Sequence, residues 1–157
     1  MDSDAEHLHE GGWNLMHAES IIAAARECLG TPFAHQGRIL NRALDCAGVA
    51  VHAARRCGHD VAEPSAYGRM PNNAMLEYWL GQQPFLERAS IPQAGDLLLM
   101  RFTGEPQHLA VFTGDNIIHA YESVGKVVEH ILDAKWRRRI VAVYRFKGVQ
   151  PYPGGHK

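Results

Sequence analysis

The chain changes character near its middle. Before Pro92 apolar residues recur at helical spacing, and after it they come in short blocks rich in Val, Ile, Leu and aromatics. Ile21, Ile22, Ala25 and Leu29 share one face of a helix expected from Ser20 to Leu29, capped by Ser20 and stopped by Gly30-Thr31-Pro32. A second helix is expected from Asp45 to Cys57. Asp45 suits the N-cap, and Gly58 suits the left-handed residue past the end. Val49, Ala50, Ala53 and Ala54 give this helix a small-residue face that can pack closely. A third helix is expected around Ala74–Leu80, in a stretch punctuated by Pro64, Pro71, Gly81, Pro84 and Pro92.

The later blocks, Asp96–Phe102, His108–Thr113, Ile117–Tyr121, Lys126–Ile131 and Ile140–Phe146, read as strands joined by tight turns. Gly114-Asp115 is a hairpin signal. A two-residue turn there sets Phe112 opposite Ile117, Ala110 opposite His119 and His108 opposite Tyr121. His108, Ala110, Phe112, Ile117, His119 and Tyr121 then share one face, with His108 and His119 as diagonal neighbours. A slip of one residue would break this arrangement. Helices first and strands second predict an α+β fold with an antiparallel sheet. The expected organisation is a polar tail over 1–17, one domain over 18–150 and a second tail over 151–157.

Length and composition bound the function. The 157 residues suit one domain. A formal net charge of -1 argues against general nucleic-acid binding, which needs a basic excess. No apolar run approaches the about 20 residues that cross a bilayer, so no membrane insertion is expected. The opening MDSDAEHLHEGG lacks the basic and apolar regions of a secretory signal, so synthesis in the cytoplasm is expected. The 10 histidines show no H-E-x-x-H or comparable ligand spacing, and no metal or cofactor is expected.

The cysteines carry the chemical signal. Cys28, Cys46 and Cys57 form no C-x-x-C pair. With Asp45 as cap, Cys46 falls in the first helical turn, where unpaired N–H groups and the helix dipole favour a thiolate nucleophile. Cys28 and Cys57 fall at helix C-termini, where the dipole opposes ionisation. Cys57 also lies about 16 Å along the axis from Cys46, beyond disulfide reach. A thiol nucleophile needs an imidazole and a group to orient it. His108 and His119 on one sheet face supply a candidate pair. Lys135-Trp136-Arg137-Arg138-Arg139 is the densest basic cluster; it suits an anionic wall polymer or a carboxylate-rich peptide, but such a run is more often the solvated face of a short helix.

Several segments match a known pattern in order and spacing. They are Leu29-Gly30-Thr31-Pro32-Phe33, His35-Gln36-Gly37-Arg38, Leu44-Asp45-Cys46-Ala47-Gly48, Tyr67-Gly68-Arg69-Met70-Pro71, Ala94-Gly95-Asp96-Leu97-Leu98, His108-Leu109-Ala110-Val111-Phe112 and Ile118-His119-Ala120. Through them residues 18–146 resemble the NlpC-type papain-like cysteine peptidases. The likeness is greatest to the branch that bacteriophages and gene-transfer particles encode as tail-associated cell-wall peptidases. The resemblance implies a papain-like fold with the Cys helix packed on a five- or six-stranded antiparallel sheet. It implies Cys46 as nucleophile, His108 as base and His119 as the orienting residue. It implies cleavage of peptide bonds in peptidoglycan stems, commonly between D-glutamate and a diamino acid.

Many relatives carry a tyrosine near Phe33 whose hydroxyl assists the oxyanion. Phe33 has none, so that role is absent or passes to His35 or Gln36. His35, Gln36 and Asp45 are therefore the candidates for oxyanion or substrate positioning. Arg38, Tyr67 and Arg69 are the candidates for substrate binding, the two arginines suiting either a substrate carboxylate or a loop-fixing bond to backbone carbonyls. No wall-targeting repeat is present, so delivery to the cell wall or periplasm is expected from phage-tail or gene-transfer-particle proteins in a virion-like particle. A thiol amidase or acyltransferase, and a non-catalytic tail-assembly protein, are the alternatives.

Overall fold

The computed structural model describes residues 17–63, 75–104 and 106–149. Helix α1 spans Ala18–Arg26, two short strands β1 (Arg38–Ile39) and β2 (Ala43–Leu44) follow, and helix α2 spans Cys46–Arg56. Then come α3 (Met75–Gly81), β3 (Leu86–Ala89), β4 (Leu97–Met100), β5 (His108–Phe112), β6 (Asn116–Tyr121), β7 (Lys126–Ile131), α4 (Ala134–Arg137) and β8 (Ile140–Phe146). The fold is α+β, as the order of patterns predicts.

The main sheet is six-stranded and antiparallel, in the order β3-β8-β4-β5-β6-β7. The Gly114-Asp115 turn sets the predicted register, with Phe112 opposite Ile117, and Gly114 takes φ +112. Strand β3 lies outside the sequence expectation, because Leu-Glu-Arg-Ala has no β-branched residue. It is a strand because β8 offers it an edge, with Leu86 against Phe146.

Both sheet faces are buried. Leu97, Leu99, Leu109, Val111, Ile118 and Ala120 meet Ile21 and Ala25 of α1 and Val49, Ala50 and Ala53 of α2. Alanines at positions 50, 53 and 54 let α2 lie close to the sheet. The alternate residues, Leu98, Met100, Ala110, Phe112 and Ile117, are covered by Leu132 and by Trp136 of α4.

Helix α1 differs from expectation at both ends. It starts at Ala18, with His17 at the N-cap making no side-chain cap bond, and Ser20 lies inside the first turn. It stops at Arg26 because the chain turns to the edge of β7. There Gly30 N–H donates to the Val127 carbonyl at 3.0 Å and Phe33 N–H to the Gly125 carbonyl at 2.8 Å. Leu29 is left 39% exposed. Helix α2 begins as predicted, with Asp45 at its N-cap, and Gly58 past its end has φ +94.

Candidate active site

Asp45 organises the entry to α2. Asp45 is 3% exposed, and its carboxylate accepts from the N–H of Gly48 and of Gln36 and from the Arg38 guanidinium, each at 2.8 Å. The first of these satisfies an orphan helix N–H. The second holds Gln36 in a left-handed conformation, φ +64, that a non-glycine residue rarely takes. Arg38 also donates to Glu63 at 2.9 Å and to the Gly37 carbonyl at 2.8 Å. The loop therefore lies hard against the helix. A Cβ on Gly48 would come within 2.4 Å of the Gly37 carbonyl oxygen, so no side chain fits there.

Cys46, the first residue of α2, opens onto a cavity of about 440 Å³. The cavity lies where β4 and β6 end and β5 and β8 begin, so its wall draws on both sheet faces. Phe33, His35, Gln107, His108, Tyr121 and Arg139 are on it with Cys46. The Cys46 thiol rests 3.9 Å from the Gln107 carbonyl, while His108 bonds to His119.

The resting state of this thiol departs from the helix-terminus expectation. Burial pushes the Cys46 pKa up to about 12, and the adjacent Asp45 carboxylate adds to the rise. The N–H groups of Leu109 and Ala47, and Arg38, pull the other way and lose. Cys46 is half-buried, and the wall packed around it strips more hydration from a thiolate than the dipole restores. Cys28 is pushed up to about 12 by burial too, and Cys57 is raised by the same cause. Acidity at rest does not single out Cys46; its place on the cavity wall does.

His108, 5% exposed, donates or accepts through Nε2 to His119 Nδ1 at 2.6 Å. His119 is fully buried, and its Nε2 meets His130 Nε2 at 2.8 Å. Burial drives the His108 pKa down to about 3, helped by the charge of Arg139 and by His130. Burial also drives His119 down, followed by His108 and His130. Both imidazoles are neutral at pH 7. The resting pair is thus neutral thiol and neutral base, and charge separation waits for proton transfer.

The remaining candidates divide. His35 is on the cavity wall; Gln36 and Arg38 are not. Tyr67 and Arg69 lie outside the described residues. The basic run splits: Lys135, Arg137 and Arg138 are exposed, as a solvated face requires, but Arg139 turns inward. Its guanidinium lies 4.8 Å over Phe102 and 4.5 Å over Trp136 and reaches the cavity. Sequence reasoning missed Arg139 as a wall residue, and it missed His130. The spacing of 11 residues from His108 to His119 and again to His130 was the available signal. Each histidine sits diagonally across one antiparallel pairing from the last.

Among the described residues no group of His, Cys, Asp or Glu converges as metal ligands. No helix among them is long and apolar enough to cross a membrane.

Cys46 at a helix N-terminus and His108 on an antiparallel sheet thus face one cavity, with His119 bonded behind His108. The sequence profile of the NlpC/P60 family matches residues 30–145, and the chain belongs to that family. The fold is similar to an NlpC/P60 family protein from Bacillus cereus, at TM-score 0.59 and 18% identity over 84% of this chain and 41% of that one. It is similar to NlpC1 from Trichomonas vaginalis, at TM-score 0.60 and 16% identity over 82% of this chain and 44% of that one. The chain thus spans about two-fifths of the length of these proteins. The NlpC/p60 domain of the peptidoglycan hydrolase SagA is similar at TM-score 0.57 and 24% identity, over 82% of this chain and 98% of that one. Comparison with curated proteins gives no match.

Proposed function

We propose that the chain is a cysteine endopeptidase acting on the stem peptides of bacterial peptidoglycan. The observation that supports this most is the convergence of Cys46, His108 and Arg139 on one cavity, with His119 bonded behind His108. His108 takes the thiol proton as the sulfur attacks the scissile carbonyl, and the acyl group moves to Cys46. The same imidazole protonates the leaving amine, and water then attacks the thioester. The N–H of Cys46 at the start of α2 and His35 on the wall are the proposed oxyanion donors.

Arg139 fits a substrate carboxylate, which peptidoglycan stems carry, better than Arg38 does. Arg38 already serves Asp45, Glu63 and the Gly37 carbonyl. Delivery by a phage-tail or gene-transfer particle is part of the same proposal.

The test is digestion of purified peptidoglycan followed by mass analysis of the released fragments. Wild-type protein should release peptides cut within the stem, and Cys46→Ala should release none. Fragments cut at another type of bond, or equal release by both proteins, would overturn the reading. Arg139→Ala should raise KM more than it lowers kcat, since it removes ground-state binding.

A further inference from the structure

His130 is given no role by the catalytic reading above, yet hydrogen-bond bookkeeping makes it the end of a chain. Its Nδ1 is 3.0 Å from the carbonyl oxygen of Ile131. A carbonyl only accepts, so His130 Nδ1 carries a hydrogen. In neutral His130 the other nitrogen, Nε2, is then a bare acceptor, and the hydrogen in the 2.8 Å contact belongs to His119 Nε2. Neutral His119 therefore has a bare Nδ1, and the hydrogen in the 2.6 Å contact belongs to His108 Nε2. That leaves His108 Nδ1 bare, the nitrogen a base needs. One backbone carbonyl on β7 thus sets the tautomer of a histidine on β5, two hydrogen bonds beyond His130.

Burial differs along the chain. His119 is fully buried and His108 5% exposed, while His130 is only half-buried at the far end. Trp136 walls the row, with ring centroids 5.0 Å from His119 and 5.1 Å from His130. An imidazolium on either buried ring lacks water, and Arg139 disfavours it further on His108.

Resting on the cysteine-peptidase reading, we infer that His130 is a positioning residue that fixes the base tautomer of His108 and receives the charge formed there. When His108 Nδ1 takes the thiol proton, His108 Nε2–H passes its hydrogen to His119 Nδ1. His119 Nε2–H passes its own to His130 Nε2. Each ring gains one hydrogen as it loses another, except His130, which becomes the imidazolium. His108 keeps the hydrogen on Nδ1 that the leaving amine requires. When that hydrogen is given up, the two transfers reverse and the chain returns to its starting tautomers.

The experiment is nitrogen-15 NMR of the full chain with labelled histidines, alongside turnover of peptidoglycan. Wild type should show hydrogen on Nε2 of His108 and His119 and on Nδ1 of His130. His130→Gln should keep the first two tautomers, because its amide oxygen can accept from His119 while its NH₂ donates to the Ile131 carbonyl. It cannot take the charge, so kcat should fall. His130→Leu removes the acceptor; His108 should become a tautomer mixture, and kcat should fall further, roughly 10- to 100-fold in total, with KM little changed. Wild-type His108 carrying its hydrogen on Nδ1, or His108 unmoved by His130→Leu, would overturn the inference even in an active enzyme. The expected tautomers in a protein that releases no peptide would instead overturn the peptidase reading and leave the tautomer chain standing.

Discussion

Cys46 sits where two influences oppose each other, and the magnitudes decide between them. A helix N-terminus is worth about 0.3–1 kcal/mol to an adjacent exposed anion and up to about 2 kcal/mol to a partly buried one, at most about one and a half pKa units of 1.36 kcal/mol. Burial moves the thiol by more than that, up to about 12. Alkylation of Cys46 by iodoacetamide in the folded protein should therefore be slow at neutral and mildly acidic pH and rise only under alkaline conditions. Peptide mapping of the labelled cysteines checks this; fast labelling at pH 6 would show a thiolate already formed. The histidines behind it divide by role. His119→Gln should retain more peptidoglycan release than His119→Ala, since an amide still bonds His108. His108→Asn should be far worse than either, because an amide cannot take a proton. Equal losses in all three would mean that the roles are misassigned.

At the scale of the element, the start of α2 and the loop over residues 34–38 act as one piece. Asp45 joins them, Arg38 braces Asp45, and the absent side chain of Gly48 lets them touch. Gly48→Ala should push the loop away and loosen Asp45, lowering stability by about 1–3 kcal/mol as overpacking does. Hydrolysis should fall with it, because Cys46 and His35 hang from the two sides of that contact. Arg38→Ala should cost about 1–3 kcal/mol, by leaving a buried carboxylate short of a donor. Denaturant unfolding measures both. A variant of Arg38 with native stability but a raised KM would return that residue to substrate binding.

For the molecule as a whole, buried and half-buried histidines tie stability to pH. His59, stacked 4.5 Å from Phe85, has a pKa lowered by burial, as do His108 and His119. Below the ordinary value of 6.5 the unfolded chain takes up protons that these folded side chains refuse. Stability should therefore be complete above that pH. It should fall as the pH drops, by up to about 1.4 kcal/mol per unit for each histidine until its own folded pKa is reached. Melting temperatures between pH 8 and pH 4.5 test the sign, and His59→Phe should flatten the slope. A constant Tm across that range would contradict the burial argument.

Local chemistry in the sequence was enough for whatever depends on neighbours along the chain. The Asp45 cap, the Gly58 stop, the Gly114-Asp115 turn and the alternation that puts His108 and His119 on one face all follow from residues a few positions apart. Contacts between distant segments decided the rest. Strand β3 exists because β8 lies beside it, and α1 stops early because β7 draws the chain away. Arg38 meets Glu63 and Arg139 reaches the cavity only once the loops are packed. The protonation of Cys46 and the chain through His130 belong to the same class. Both depend on water being excluded and on three strands lying side by side, and neither is a property of any short stretch of sequence.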